Sequence, residues 1–176
     1  YYGDGDLDHF WQNQNIAYSD DGIHFKKYEG NPVISVPADN TQHFRDPKIW
    51  QYDGQYYIVV GSQEKDSQLG RILLYQSSDL LHWHYRGPIF HSHSVDRQGF
   101  MWECPDFFRL NGKDVLICSP MGIKATEHSF LNANQTVYFT GQLDLAHADY
   151  HAGELQELDA GHNFYAPQSF LTPDGR

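Results

Sequence analysis

Tyr75-Gln76-Ser77-Ser78-Asp79-Leu80-Leu81-His82-Trp83 is a near-copy of an earlier stretch, Tyr18-Ser19-Asp20-Asp21-Gly22-Ile23-His24-Phe25. The interval from Tyr18 to Tyr75 and that from Phe25 to Trp83 agree to within a single position. The same interval links Asp46-Pro47, followed by Asp53-Gly54, to Glu103-Cys104-Pro105, followed by Asn111-Gly112. A third copy begins at Phe164-Tyr165-Ala166-Pro167 and reaches a turn at Asp174-Gly175. Self-similarity at a fixed period marks a chain built by repeating one supersecondary unit.

The unit is made of strands. Tyr56-Tyr57-Ile58-Val59-Val60, Arg71-Ile72-Leu73-Leu74-Tyr75, Asp114-Val115-Leu116-Ile117-Cys118 and Thr136-Val137-Tyr138-Phe139 are short, rich in β-branched and aromatic residues, and separated by turn dipeptides. No stretch carries the pattern of a long amphipathic helix, and Ser78-Asp79-Leu80-Leu81 has room for a single turn at most. Each repeat reads as a short strand opening with an acidic residue and Pro, a hairpin, a long apolar strand, a strand ending in Tyr, and an aromatic outer strand. That is a four-stranded β-propeller blade, longer than the roughly 40 to 50 residues of the commonest propeller repeats. Roughly three blades are visible, the first and last incomplete. Propellers typically close with about four to eight blades, so the chain is expected to be one part of an all-β propeller domain. An irregular β-sandwich with accidental similarity is the competing fold.

Charge and composition narrow the function. Twelve Lys and Arg against 23 Asp and Glu give a net charge of −11, which argues against binding nucleic acid or an anionic membrane by general electrostatics. A small neutral ligand fits better. Tyr (12), Phe (11) and Trp (4) are plentiful; such rings suit strands and also serve as platforms for sugar faces. Cys104 and Cys118 are the only cysteines, so neither a disulfide framework nor a zinc thiolate cluster is indicated, and a cytoplasmic setting is expected. No apolar run approaches the roughly 20 residues of a membrane helix, and the first residues lack the parts of a signal peptide.

In a propeller the first strand of every blade lines the central channel. Asp46 and Glu103, equivalent to within one residue of the repeat, are therefore expected to face one funnel. Two carboxylates meeting in a pocket are what glycoside hydrolysis requires, one to protonate the leaving oxygen and others to act as nucleophile or stabilise an oxocarbenium-like transition state. Glu103 lies between Trp102 and Cys104, an apolar setting that suits an acid/base. Asp46 follows Arg45, whose guanidinium can hold a neighbouring carboxylate. On spacing alone both acids could equally cap turns at strand starts.

Phe44-Arg45-Asp46-Pro47-Lys48 and Trp102-Glu103-Cys104-Pro105-Asp106-Phe107 resemble the internal signature motifs of glycoside hydrolase family 32, the invertases, sucrose-6-phosphate hydrolases and fructan hydrolases. Ala17-Tyr18-Ser19, Asn31-Pro32-Val33, Leu73-Leu74-Tyr75 with Trp83, and Phe164-Tyr165-Ala166-Pro167-Gln168 add to the likeness, which spans essentially the whole chain. The resemblance implies a five-bladed propeller followed by a β-sandwich, and retaining hydrolysis of terminal β-fructofuranosyl groups, with sucrose or sucrose 6-phosphate as substrate and no metal or cofactor. It makes Asp46 the transition-state stabiliser that binds fructosyl hydroxyls, Arg45 a substrate-binding neighbour, and Glu103 the general acid/base. The family nucleophile lies in an Asn-Asp-Pro-Asn motif that this sequence lacks. Asp4, Asp6 and Asp8 do not replace it, since their Gly- and His-rich context reads as a connecting loop. Residues 1–176 are thus expected to be part of a single catalytic propeller, without the nucleophile blade and the sandwich. Asn163 stands where the family more often has an acidic residue. A non-catalytic carbohydrate-binding propeller, or an inactive piece of the enzyme, is the alternative from another class; fructan hydrolysis is the alternative within the enzymes.

Other signals are weaker. Asp6-Leu7-Asp8-His9 and His91-Ser92-His93 have metal-ligand residue types but no partner cluster at diagnostic spacing. Cys104 has no His to activate it as a nucleophile. The polar loop Ser129 to Gln135 is a candidate for the leaving-group side of the substrate, and Lys65 and Lys124 are candidates for a phosphate contact.

Overall fold

The computed structural model describes residues 2–5, 10–162 and 164–172. Strand β1 (Tyr2–Gly5) pairs antiparallel with β2 (Phe10–Asn13), and the two-residue strands β3 (Ala17–Tyr18) and β4 (Lys26–Lys27) pair beyond them. A four-stranded sheet follows, β5 (Asn40–Tyr52), β6 (Gln55–Glu64), β7 (Gly70–Ser77) and β8 (His84–His91), hydrogen-bonded in sequence order. After a single helical turn, α1 (Val95–Gln98), a second sheet runs β9 (Met101–Leu110), β10 (Lys113–Met121), β11 (Val137–Asp144) and β12 (Asp149–Ala152), with β13 (Gln156–Glu157) also against β11. The fold is all-β, as expected. Two consecutive antiparallel meanders of four strands are the units anticipated from the repeat, and the strands sit where the apolar runs placed them. Residues 78–81 form a bend instead of a turn of helix. Asp4 lies in β1, a paired strand where a loop was expected; Asp6, Asp8 and His9, like Asn163 and the turn at Asp174-Gly175, lie outside the described residues.

The first sheet is buried on both faces, which explains its uninterrupted apolar runs. Successive side chains of a strand point to opposite faces. Tyr57, Val59, Ile72 and Leu74 accordingly pack toward the second sheet with Trp102, Phe107, Leu116, Val137 and Phe139, while Ile58, Val60, Leu73 and Tyr75 pack on the other side with Ile34 and Phe44. Trp102 is fully buried; its ring lies 5.4 Å from Phe90 and 5.6 Å from Phe139, and Nε1 donates to Gln98 O (2.5 Å).

The repeat is also visible in the outer connections. Between β3 and β4, and between β7 and β8, a Ser-x-Asp-x-x-His segment forms the same turn. Ser19 and Ser77 accept backbone N–H groups through Oγ. Asp21 Oδ1 accepts those of Ile23 and His24, and Asp79 Oδ1 those of Leu81 and His82. Asp144 and His147 make a third copy between β11 and β12. Each Asp also pairs through Oδ2 with its His, at 2.6 to 2.7 Å. Positions of β3 and β4 therefore correspond to β7 and β8, and these in turn to β11 and β12.

The candidate active site

The first strands of the two sheets, β5 and β9, carry the same irregularity. The ladder slips by one residue between Arg45 and Lys48, and again at the corresponding place opposite Ile117 and Ser119. The extra residue stands in the left-handed region each time, Asp46 at φ 61° and Cys104 at φ 48°, just before Pro47 and Pro105. Ala166, before Pro167, has φ 54°. Such bulges re-aim side chains beside functional sites, and non-Gly residues at these angles persist only where the surroundings hold them. The three X-Pro steps set the register of the repeat: Arg45 corresponds to Glu103 and Tyr165, and Asp46 to Cys104 and Ala166. Asp46 and Glu103 are equivalent to within one residue, as expected, the counterpart of Glu103 being Arg45.

These equivalent side chains meet. Arg45 Nε and Nη2 both donate to Glu103 Oε1, at 3.0 and 2.7 Å, and the Tyr165 hydroxyl donates to Glu103 Oε2. Arg45 Nη1 donates to Gln12 Oε1 (3.1 Å) and His43 Nδ1 (2.8 Å), and Nη2 also reaches Met121 Sδ (3.5 Å). A guanidinium has five N–H groups, and all five of Arg45 are engaged within the protein. Arg45, expected to bind substrate, has no donor left over for one. Glu103 has an arginine and a tyrosine against it, where Trp102 and Cys104 suggested an apolar pocket; the Trp102 side chain points into the core instead.

Asp46 sits beside this cluster. Its Oδ2 is 3.9 Å from Arg45 Nε and accepts the Cys104 backbone N–H (3.1 Å) and thiol (3.4 Å). Glu103 Oε1 and Asp46 Oδ2 thus lie 3.0 and 3.9 Å from the same Arg45 nitrogen, Nε, which brings both acids to one place. Burial, then the Asp46 charge, pushes the Cys104 thiol up to about 12, so it stays a protonated donor to Asp46 and is no nucleophile at neutral pH. Burial, then the bond to Glu103, raises the Tyr165 phenol. It remains an O–H donor.

A second layer underlies the first. Lys48 Nζ pairs with Asp106 Oδ1 (2.8 Å) and donates to Ser169 O (2.6 Å), while Ser169 N donates to Asp106 Oδ2. With Gln168 Nε2 on Cys104 O (3.3 Å) and Ala166 N on Ser119 Oγ (3.1 Å), this ties residues 164–172 to both strand starts. Gly61 makes the approach possible: a Cβ there would collide with the Trp102 carbonyl, and one at Gly70 would stand 2.6 Å from the Trp102 indole.

Gln12, His43, Met121 and Tyr165 were not singled out from sequence as site residues; only Tyr165 had a signal, its place before Ala-Pro in the third copy. Two of the other candidates have partners of their own. Lys124 is exposed and paired with Asp96 (2.8 Å), and the loop 129–135 is tied to Glu157 and Gly161 through Phe130 N and Asn132 Nδ2. Among the described residues no group of three His, Cys, Asp or Glu side chains is placed to hold a metal ion, and no helix is long and apolar enough to cross a membrane.

Comparison with known proteins assigns the chain to a family. The model of the glycosyl hydrolases family 32 N-terminal domain matches residues 1–176. A sucrose-6-phosphate hydrolase of Bacillus subtilis is 42% identical over 165 residues, covering 93% of this chain and 34% of the relative. That of Salmonella typhimurium is 44% identical over 148 residues, covering 82% and 31%. The structure of a Bombyx mori GH32 β-fructofuranosidase in complex with sucrose superposes with a TM-score of 0.89 at 40% identity, over 97% of this chain and 36% of that one. The chain spans about a third of the length of these relatives. Matched along its whole length by the family model, the chain belongs to glycosyl hydrolases family 32, in that family's N-terminal domain.

Proposed function

We propose that this chain is the central part of a five-bladed catalytic propeller in a β-fructofuranosidase that hydrolyses sucrose or sucrose 6-phosphate with retention. The observation that carries the reading is the Arg45–Glu103–Tyr165 cluster with Asp46 beside it, built from equivalent positions of successive repeats. Glu103 is the acid/base. Both Arg45 contacts fall on Oε1, so the transferable proton belongs on Oε2, the oxygen shared with the Tyr165 hydroxyl. The leaving oxygen would approach there, and after its departure Oε2 would draw a proton from the attacking water. Asp46, fixed by two donors from Cys104 on Oδ2, offers Oδ1 to fructosyl hydroxyls whose hydrogen bonds strengthen as positive charge develops on the ring. Arg45 orients Glu103 and does not touch the sugar. The nucleophile and the C-terminal sandwich would come from the remainder of the protein, which acts on a small carbohydrate without metal or cofactor. Two free cysteines suit a cytoplasmic enzyme.

Both substrate names occur among the relatives, sucrose 6-phosphate in the bacterial hydrolases and sucrose in the insect complex. Assaying the full-length protein on the two sugars separates them. Glu103→Gln in that protein is expected to lower kcat at least about a hundredfold with the fold intact; near-normal turnover would overturn the assignment. The 176-residue chain alone, lacking the nucleophile, is expected to release no fructose.

A further inference from the structure

Four of the five Arg45 donors end on Glu103, twice, Gln12 and Met121. The fifth ends on His43 Nδ1 at 2.8 Å. Arginine cannot accept a hydrogen bond, so this contact requires a lone pair on Nδ1 and the proton of a neutral imidazole on Nε2. The ring is packed to stay there. It is half-buried, edge-on to Phe10 (5.4 Å, 72°) and Phe100 (6.3 Å, 63°). Its backbone is pinned in the irregular start of β5, where the Asn40 amide donates to the carbonyls of Thr41 (2.9 Å) and His43 (2.7 Å), and His43 N donates to Thr41 Oγ1 (3.2 Å).

We propose that His43 is a positioning residue for the reaction above: by accepting from Arg45 Nη1 it sets the rotation of the guanidinium that presents Nε and Nη2 to Glu103 Oε1. The inference rests on the reading of Glu103 as acid/base. Protonation of His43 converts the acceptor into a donor and places two cations in contact, so the clamp is lost as pH falls through the His43 pKa. The charged groups facing the ring are Arg45 on its own strand and Glu103 on β9; β2 presents Phe10 and Gln12, and Phe100 comes from the segment before β9. Burial and then Arg45 hold the imidazole below its ordinary 6.5 against the opposing pull of Glu103, which keeps the neutral form in place at neutral pH.

The test compares His43→Leu and His43→Asn with wild type and Glu103→Gln in the full-length enzyme, with kcat and KM for sucrose measured across pH. Asn can place an amide oxygen near the Nδ1 position and does not titrate. His43→Leu is expected to lower kcat about tenfold or more with a smaller change in KM, the loss that follows small misplacement of a catalytic group. His43→Asn is expected to recover most of that loss and to extend the acid limb of the pH profile to lower pH. Near-wild-type kcat in the Leu variant, equal damage in both variants, or an unmoved acid limb in His43→Asn would each overturn the proposal. If Glu103→Gln is inactive while His43→Leu is normal, only the His43 role fails; if Glu103→Gln is active, the acid/base assignment beneath it fails.

Discussion

Arg45 and Glu103 stand at the same position of successive sheets, and their side chains meet across the gap at 2.7 Å. Both are largely buried, with side-chain exposures of 10% and 18%. A carboxylate deprived of such a partner keeps the cost of leaving water without the compensating attraction. Arg45→Lys retains the charge but not the five-donor fork. If Arg45 orients the acid Glu103 without touching the sugar, this variant of the full-length enzyme is expected to lower kcat by about a hundredfold with little change in KM. A rise in KM alone would return Arg45 to substrate binding.

The closeness of the two strands depends on Gly61, which is paired with Arg45 across the β5–β6 ladder and faces the Trp102 carbonyl. A methyl group there must push β9 outward, and overpacking of this kind costs roughly 1–3 kcal/mol. Gly61→Ala is expected to lower the urea midpoint accordingly and to reduce kcat as well, because Trp102 directly precedes Glu103. Gly54, in an open turn with nothing near its Cβ direction, is the control for side-chain crowding. Gly54→Asn is expected to leave kcat unchanged.

Asp46 combines two demands, a left-handed backbone and a charge. Asn tolerates the same conformation, so Asp46→Asn isolates the charge. If Asp46 binds the sugar most strongly in the transition state, kcat falls by on the order of 10²–10³-fold while KM changes much less. Circular dichroism and melting temperature stay near wild type. An effect confined to KM would contradict this role.

Much of this was legible in the sequence, and the parts that were not have physical reasons. The hairpin turns and apolar runs placed the strands, and the two motifs placed the acids on the first strand of each repeat. Spacing places Asp46 opposite Glu103 only to within one residue; the bulge before Pro47 and Pro105 decides it, and Arg45 answers to Glu103. Gln12 reaches Arg45 through the packing of β2 on β5, and no local pattern announces a contact between residues 33 positions apart; His43 is only two residues from Arg45 on β5, but alternate side chains of a regular strand would not announce that contact either. The third outer turn falls outside the repeat interval because Asp144 lies farther along the chain from Asp79 than Asp79 does from Asp21, the connection between β10 and β11 being much longer than that between β6 and β7.

The outer turn between β7 and β8 makes a prediction independent of catalysis. Asp79 Oδ1 accepts the N–H groups of Leu81 (2.9 Å) and His82 (2.8 Å), Oδ2 pairs with His82 Nδ1 (2.7 Å), and Trp83 Nε1 closes the turn on Leu80 O (2.8 Å). The bond to His82, followed by the two backbone N–H groups, holds the Asp79 carboxyl below its ordinary 3.8. A carboxyl depressed on folding stabilises the folded state above its unfolded pKa, and the contribution disappears as pH falls through the folded value. Asp79→Asn keeps an acceptor for the N–H groups and removes the charge. It is expected to melt below wild type at pH 7, with the difference intact down to 3.8 and narrowing below it. Melting temperatures of the two proteins at neutral pH and at about pH 2.5 check this directly, and a gap of the same size at both would show that the charge on Asp79 does not stabilise the turn.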